Sequence, residues 1–215
     1  MDQNCAVILA AGEGKRMKTK RPKVLCEVLF EPMVSWVVSA CEQAGIQKIC
    51  AVTGYGHEQV EECLKGRCET SYQTEQKGTG HAVLCARDFL CQHLDGHVAV
   101  LCGDAPFMDG ETLQQALQYH AGAGNAATVI TAELQTPGAY GRILREGDQV
   151  KGIVEYKDAS AQQRSIREVN SGAYWFRVRD LLAVLEQIQP NNVQGEYYLT
   201  DTLALLLRQH KRVGA

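Results

Sequence analysis

Two glycines and two basic residues stand just after the first apolar run of the chain. Arg16 and Lys23 follow the stretch Leu9-Ala10-Ala11-Gly12-Glu13-Gly14. The small residues let backbone N–H groups approach phosphate oxygens closely, and the two basic side chains add positive charge beside them. The glycine spacing does not fit a Walker loop, and Met17 stands where a dinucleotide-binding fingerprint needs a third glycine. We therefore predict a phosphate-binding loop, with a plain tight turn as the alternative.

A run of amide side chains and glycines joins a predicted strand to a predicted helix at residues 73–82. Gln73 carries an acceptor and donors that match the paired edge of a pyrimidine base. Gly78 lets the backbone close on that base, and Thr79 can cap the helix that follows. An ordinary capped helix start would explain Thr79 but not the amide side chains, so we predict a base-binding motif.

An acidic residue follows the most apolar predicted strand. Because Cys102-Gly103-Asp104 closes this strand, the Asp104 carboxylate is expected at the same sheet edge as the Gly12 loop. Mg²⁺ takes hard oxygen ligands, usually one or two carboxylates together with phosphates and water. We predict Asp104 as a Mg²⁺ ligand, and a turn before Pro106 is the simpler alternative.

The second half of the chain contains two polar residues suited to a sugar. Glu155 lies among apolar residues, where an unpaired carboxylate is costly and a sugar hydroxyl would provide a partner. Asn170 offers a bidentate amide for hydroxyl groups or an acetamido oxygen. Each of them alone is more often a surface turn residue than a ligand. Residues 194–201 are expected to shape a pocket wall, and they receive no chemical role.

Apolar patterning predicts an α/β chain. Strands are predicted at Cys5–Ala10, Lys48–Thr53, Glu69–Gln73, His97–Cys102, Ala126–Ala132, Arg142–Arg145, Val150–Tyr156 and Glu168–Phe176. Helices are predicted at Pro32–Ala44, His57–Lys65, Thr79–Phe89, Glu111–His120, Leu181–Ile188 and Tyr197–Gln209. Their alternation indicates a mixed, mostly parallel sheet with helices on both faces. We expect one domain, 1–215, with a nucleotide-binding lobe at about 1–135 and a sugar-binding lobe at about 136–215.

Composition narrows the class of protein and its surroundings. The 215 residues are 45% hydrophobic and carry a formal net charge of −3, which offers no basic surface for nucleic acid or an anionic membrane. None of the nine cysteines has the CxxC spacing of a zinc site, and several lie inside apolar runs. No apolar stretch is long enough for a membrane span. We expect a cytoplasmic protein without nucleic-acid or membrane partners.

The motifs resemble those of the sugar-nucleotide pyrophosphorylases. Residues 9–14, Arg16-Met17 and Pro22-Lys23-Val24-Leu25 are similar to their signature loop, above all in the uridylyltransferase domains of bacterial enzymes that also carry a glucosamine-1-phosphate acetyltransferase domain. The resemblance implies a Rossmann-like nucleotide-diphospho-sugar transferase fold. It implies Mg²⁺-dependent synthesis of UDP-N-acetylglucosamine, a peptidoglycan precursor, and pyrophosphate from UTP and N-acetylglucosamine-1-phosphate. It also implies catalytic roles for Arg16, Lys23 and the metal ligand Asp104, and substrate contacts for Leu9, Ala10, Ala11, Gly12, Gly14, Gln73, Gly78, Thr79, Gly103, Gly141, Glu155 and Asn170.

Three features depart from the family pattern. Lys15 stands where relatives usually have Thr, and Phe30-Glu31-Pro32-Met33 replaces Gly-Lys-Pro-Met. Relatives continue past the position of Ala215 with an Asn that completes the Mg²⁺ site and a β-helix domain that transfers acetyl groups and forms trimers. We therefore expect a monomer without acetyltransferase activity, either a fragment or a short protein. A nucleotidyltransferase for another sugar or base, or a sugar-nucleotide-binding module with low turnover, is the alternative.

Overall fold

Strand β1 (Cys5–Ala10), an inner strand of the sheet, is an almost uninterrupted run of buried residues. The computed structural model describes residues 3–14, 17 and 21–215 of the chain. The further strands are β2 (Glu27–Val28), β3 (Glu31–Pro32), β4 (Lys48–Thr53), β5 (Glu69–Tyr72), β6 (His97–Cys102), β7 (Ala127–Glu133), β8 (Arg142–Glu146), β9 (Gln149–Val154), β10 (Glu168–Arg177) and β11 (Val213–Gly214). The helices are a 3₁₀ turn (Lys23–Leu25), α1 (Met33–Gln43), α2 (His57–Leu64), α3 (Thr79–Cys85), α4 (Arg87–Cys91), α5 (Gly110–Gly122), α6 (Ala161–Arg164), α7 (Val178–Leu185) and α8 (Asp201–Arg208).

The strands of the main sheet are paired in the order β11-β7-β10-β6-β1-β4-β5, and the β8–β9 hairpin extends the sheet from β10. β1 is parallel to β4 and β6, β4 is parallel to β5, and β10 lies antiparallel between β6 and β7. The mixed sheet with a parallel core confirms the predicted sheet type. From β1 the chain first adds β4 and β5 on one side and then β6 on the other. A topological switch point, where such folds bind ligands, therefore lies at the carboxyl ends of β1 and β6.

Helices cover both faces of this sheet because its central strands carry apolar side chains on both sides. Val7 and Val100 pack with α3, α4, α7 and α8, whereas Ile8 and Leu101 pack with α1, α2 and α5. Each large side chain buried in these cores contributes about 1.5–3 kcal/mol relative to its exposed state. The two apolar cores confirm the predicted α/β class. None of the described helices is long and apolar enough to cross a membrane.

The observed helices differ from the predicted ones in three places. The predicted helix Thr79–Phe89 is interrupted at Ala86, whose φ of −90° and ψ of 14° separate α3 from α4. The last helix begins at Asp201 rather than Tyr197, because the Tyr197 carbonyl accepts the Gly80 N–H instead of the Asp201 N–H that a helix would pair with it. α7 begins at Val178, directly after β10. α6, β11 and the β2–β3 hairpin lie outside the predicted elements, except for Pro32, which was predicted as the first helical residue and instead ends β3.

Candidate active site

The turn after β1 lies at the carboxyl edge of the sheet. Its first residue, Ala11, accepts a hydrogen bond through its carbonyl from the Tyr55 N–H at 3.1 Å, which fixes the turn against the end of β4. Gly14 has a φ of +65°, and a Cβ there would lie 2.6 Å from the Lys23 Cβ, so a larger residue would displace this lysine. Gly12 is exposed, and a Cβ there would meet no described atom within 4 Å. The backbone around Gly12 is therefore open to a ligand.

Asp104 and Lys23 face each other across the switch point. Leu9 and Ala10 end β1, and the Leu9 carbonyl accepts the Gly103 N–H at 2.9 Å, which places the residue after β6 beside them. The Lys23 Nζ forms an ion pair with the Asp104 Oδ2. About a third of each of these two side chains is exposed, 32% for Lys23 and 31% for Asp104, so a ligand can reach both. The structure thus brings together the glycine turn, one predicted cation and the predicted carboxylate.

The predicted phosphate and metal site also includes a second cation and a set of metal ligands. Arg16, the other predicted catalytic cation, lies outside the described residues. In the described part of the chain, no three His, Cys, Asp or Glu residues converge as metal ligands would. The partly exposed Asp104 carboxylate is nevertheless a hard oxygen donor, and Mg²⁺ needs few protein carboxylates when phosphates and water complete its shell. Asp104 therefore fits Mg²⁺ as its protein ligand, in competition with Lys23.

The predicted base motif lies between β5 and α3. Gln73 is 2% exposed, and its Nε2 lies 3.3 Å from the Gly78 carbonyl oxygen and 2.8 Å from the His81 Nδ1. The prediction that Thr79 caps the helix is wrong, because Gly78 occupies the cap position and no side chain caps it. The Thr79 hydroxyl instead accepts the Leu199 N–H at 3.0 Å, which ties the start of α3 to a segment 120 residues later in the chain.

The three predicted sugar residues lie together. The Gly141 carbonyl accepts the Asn170 N–H at 3.0 Å. A Cβ on Gly141 would lie 3.3 Å from the Glu155 Oε2, so a larger residue would fill the space beside this carboxylate. The Thr200 hydroxyl donates to the Glu155 Oε1 at 3.3 Å, and burial raises the pKa of the Glu155 carboxyl. Glu155 is therefore partnered at one oxygen, by a residue that the sequence motifs did not identify as functional.

Asn170 has less hydrogen-bonding capacity to offer than the sequence suggests. Its Nδ2 donates to the Tyr174 hydroxyl at 2.6 Å, and its Oδ1 accepts the Gly172 N–H at 3.0 Å. Gly172 has a φ of +83° and accepts a hydrogen bond from the Cys102 thiol at 3.4 Å. Burial raises the pKa of Cys102 to about 12, so this thiol is neutral and no nucleophile. These contacts connect Asn170, one of the predicted sugar-binding residues, to the end of β6, which Asp104 follows.

Residues 197–200 link the predicted base motif to the amino acids that are predicted to contact the sugar. The Tyr197 N–H donates to the Lys77 carbonyl at 2.8 Å, and the Tyr197 carbonyl accepts the Gly80 N–H at 2.7 Å. Three residues further on, Thr200 contacts Glu155. The sequence indicated a pocket wall here, but not these contacts, because nothing in a local pattern pairs this segment with residues 77–80.

A comparison with known protein families identifies the family of this chain. The family model described as nucleotidyl transferase matches residues 5–215. The chain belongs to the nucleotidyl transferase family. Its glycine turn, paired lysine and aspartate, and two further polar clusters are therefore parts of a nucleotidyl transferase domain.

This nucleotidyl transferase has relatives at substantial identity. It is 47% identical to "Bifunctional protein GlmU" of Acetivibrio thermocellus over 98% of the chain, which is 46% of that protein. It is likewise 47% identical to "Bifunctional protein GlmU" of Syntrophotalea carbinolica over 100% of the chain and 46% of the relative. The chain thus spans a little under half the length of these relatives. A UDP-glucose pyrophosphorylase structure from Acinetobacter baumanii, at 21% identity, matches 98% of the chain and 84% of its own with a TM-score of 0.77, which supports the fold.

Proposed function

We propose that this nucleotidyl transferase is a uridylyltransferase that joins UTP to N-acetylglucosamine-1-phosphate. The products are UDP-N-acetylglucosamine and pyrophosphate. The observation that carries the proposal is the Lys23–Asp104 pair, which is about one third exposed and lies beside the turn at Gly12, at the sheet's switch point. Positive charge, a carboxylate and backbone amides at one point are what a triphosphate needs.

The proposed reaction is an in-line displacement at the α-phosphorus of the triphosphate. A phosphate oxygen of the sugar-1-phosphate forms the new P–O bond, and the bond from the α-phosphorus to the bridging oxygen breaks, so that pyrophosphate leaves with that oxygen. The attacking oxygen is already anionic at neutral pH, so no general base is required. The protein's tasks are therefore alignment and neutralisation of charge.

Each residue at the switch point has a place in this scheme. The amides of residues 11–14 hold phosphate oxygens, and Lys23 stabilises the negative charge that develops on the transferred and leaving phosphates. Asp104 would hold Mg²⁺, which would neutralise phosphate charge and orient the triphosphate. Lys23, which is paired with Asp104 in the structure, would then be available to the phosphates. Arg16 is proposed as a second phosphate-binding cation.

The two polar clusters supply selectivity in the proposal. Gln73, with the Gly78 and Thr79 backbone, contacts the uracil base, while Glu155, Asn170 and the Gly141 backbone contact the sugar.

A second proposal concerns the compartment: all nine cysteines are free thiols, including buried Cys5, Cys41 and Cys50. Because unpaired thiols persist where disulfides are reduced, we place the protein in the cytoplasm.

The direct test measures pyrophosphate release by the purified chain. UTP, dTTP, CTP and GTP are each offered with N-acetylglucosamine-1-phosphate or glucose-1-phosphate, with Mg²⁺ or with a chelator. We expect the fastest release with UTP, N-acetylglucosamine-1-phosphate and Mg²⁺. A faster reaction with another pair would reassign the substrates. Binding of UDP-N-acetylglucosamine without any release would instead identify a binding module.

The proposed role of Lys23 predicts a large loss of turnover in the Lys23→Ala variant. We expect kcat to fall by about 10²–10³, as on removal of one positioned electrostatic group. The Lys65→Ala variant is the matched control, because Lys65 forms an exposed ion pair with Glu62 on α2, away from the switch point. A folded Lys23→Ala protein with near-normal kcat would remove Lys23 from the chemistry.

A further inference from the structure

The amide of Gln73 is held by two neighbours, and their chemistry fixes its orientation. A carbonyl oxygen can accept a hydrogen bond but cannot donate one, so the amide atom 3.3 Å from the Gly78 oxygen must be nitrogen. The same Nε2 lies 2.8 Å from the His81 Nδ1. Its two hydrogens are therefore directed to these two acceptors. No described residue donates to the Gln73 Oε1, which leaves this oxygen for a ligand.

The arrangement also fixes the tautomer of His81. Because Gln73 donates to it, the Nδ1 must carry a lone pair, and a neutral imidazole then carries its proton on Nε2. His81 lines a cavity of about 200 Å³, together with Leu84, Leu185, Ile188 and Tyr197. The ring therefore contacts the Gln73 amide and also borders this cavity.

Both acceptors lie in a segment that packs against Tyr197. A Cβ on Gly78 would lie 2.6 Å from the Tyr197 carbonyl oxygen, so the two backbones are in close contact there. The Gly80 N–H donates to the same oxygen at 2.7 Å. The ring centroids of His81 and Tyr197 are 6.4 Å apart. If the Gln73 amide turned over, its oxygen would face these two acceptors and both hydrogen bonds would be lost.

We propose that His81 is a positioning residue which holds the Gln73 amide so that its oxygen alone faces the base, and which thereby selects uracil or thymine over cytosine. The inference rests on the proposed function in assigning Gln73 to the base. Uracil and thymine carry a donor at N3, which an amide oxygen can accept. Cytosine has an unprotonated N3, which would face this oxygen without a hydrogen bond, and sites with fixed polar groups reject such a mismatch strongly.

The test is the affinity of the chain for UTP, dTTP and CTP, measured by calorimetry with Mg²⁺ and without a sugar phosphate. Wild-type protein is expected to prefer UTP to CTP. In His81→Phe, which keeps a ring but removes the acceptor, we expect the UTP-to-CTP affinity ratio to fall about tenfold, the value of one net hydrogen bond. The UTP-to-dTTP ratio is expected to stay the same, because both bases carry the N3 donor.

Two further variants separate positioning from general loosening. His81→Asn places an oxygen near the position of the Nδ1 and is expected to restore the ratio. Leu84→Ala enlarges the same cavity without removing the acceptor and is expected to leave the ratio unchanged. An unchanged UTP-to-CTP ratio in folded His81→Phe protein would overturn the inference, as would a wild-type protein without preference between UTP and CTP.

A spectroscopic measurement decides the point even where a variant fails to fold. Long-range ¹H–¹⁵N correlation spectra of wild-type protein report which ring nitrogen of His81 carries the proton. A proton on Nε2 supports the inference, and a proton on Nδ1 alone contradicts it. Because binding needs no turnover, a chain that binds UTP selectively but releases no pyrophosphate would refute the proposed function and leave this inference standing.

Discussion

Glu155 combines a cost to stability with a proposed role in substrate binding. Its pKa is raised mainly by burial and further by the carboxylates of Asp158 and Asp201, so the ionised form destabilises the folded protein. We expect Glu155→Gln to raise the free energy of unfolding at pH 7 by about 1 kcal/mol. The same change should raise KM for N-acetylglucosamine-1-phosphate about tenfold, through loss of a charge-assisted hydrogen bond. Urea unfolding and steady-state kinetics measure the two effects.

The pH dependence supplies the check on this prediction. A carboxyl whose pKa is higher in the folded protein than in the unfolded chain lowers the free energy of unfolding when it is ionised. This destabilisation is complete above the folded pKa and disappears below the unfolded pKa of about 4.3. The gain of Glu155→Gln should therefore be present at pH 7 and absent below about pH 4. Glu62→Gln, at a surface carboxylate that is 75% exposed, is the control. A gain that persists unchanged in acid would mean that burial of charge is not its cause.

At the scale of elements, the turn between β2 and β3 is strained. Leu29 and Phe30 have φ values of +51° and +68°, which bulky residues adopt at a cost, and their side chains are 70% and 94% exposed. Two-residue hairpins prefer Asn-Gly at these positions. We expect the double change Leu29→Asn and Phe30→Gly to raise the free energy of unfolding by about 1–2 kcal/mol in urea titrations.

A matched control distinguishes backbone strain from the removal of an exposed apolar side chain. Val193 is 74% exposed and has no positive φ, so Val193→Gly removes an apolar side chain without relieving strain. We expect this variant to be no more stable than the wild type, since glycine adds freedom to the unfolded chain. Equal stabilisation by the two changes would rule out strain at the turn.

The elements of the core were predictable, and the irregular ones were not. β1, β4 and β6 have the predicted bounds because apolar runs bounded by turn residues specify a buried strand. The β2–β3 hairpin was missed because Leu29-Phe30 lacks the glycine or asparagine that marks such turns. The break at Ala86 was missed for a related reason, since alanine is a strong helix former and gives no local signal for a helix end.

For the molecule as a whole, the sequence indicated which parts of the site meet but not how they are bonded. Carboxyl ends of parallel strands share one edge, so the approach of the Gly12 turn to Asp104 followed from the fold class. The bond from Leu199 to Thr79 joins residues 120 apart, and no local pattern contains it. The internal hydrogen bonds of Asn170 depend in the same way on packing, so its remaining capacity could not be judged from sequence.

One hydrogen-bond network joins α5, β6 and β7. The His120 Nδ1 lies 2.8 Å from the Thr128 hydroxyl, and its Nε2 lies 3.0 Å from the His97 Nδ1. Asn125 donates to the same hydroxyl at 3.0 Å. Burial, with the nearby His97 and Arg177, lowers the pKa of His120 to about 3, and burial also lowers that of His97. The network is therefore built for neutral histidines.

This network predicts that acid destabilises the protein well before its carboxylates titrate. A histidine whose pKa falls on folding binds fewer protons in the folded state, so stability is full above about pH 6.5 and declines as the pH falls. With a pKa of about 3 in the folded state, His120 accounts for a loss of about 2 kcal/mol between pH 7 and pH 5. Urea unfolding at both pH values should show this loss in wild-type protein. In the His120→Gln variant, the loss of stability between pH 7 and pH 5 should be smaller by about 2 kcal/mol. The His210→Asn variant, which removes an exposed histidine, is the control. An undiminished loss in His120→Gln would show that another group governs the acid response.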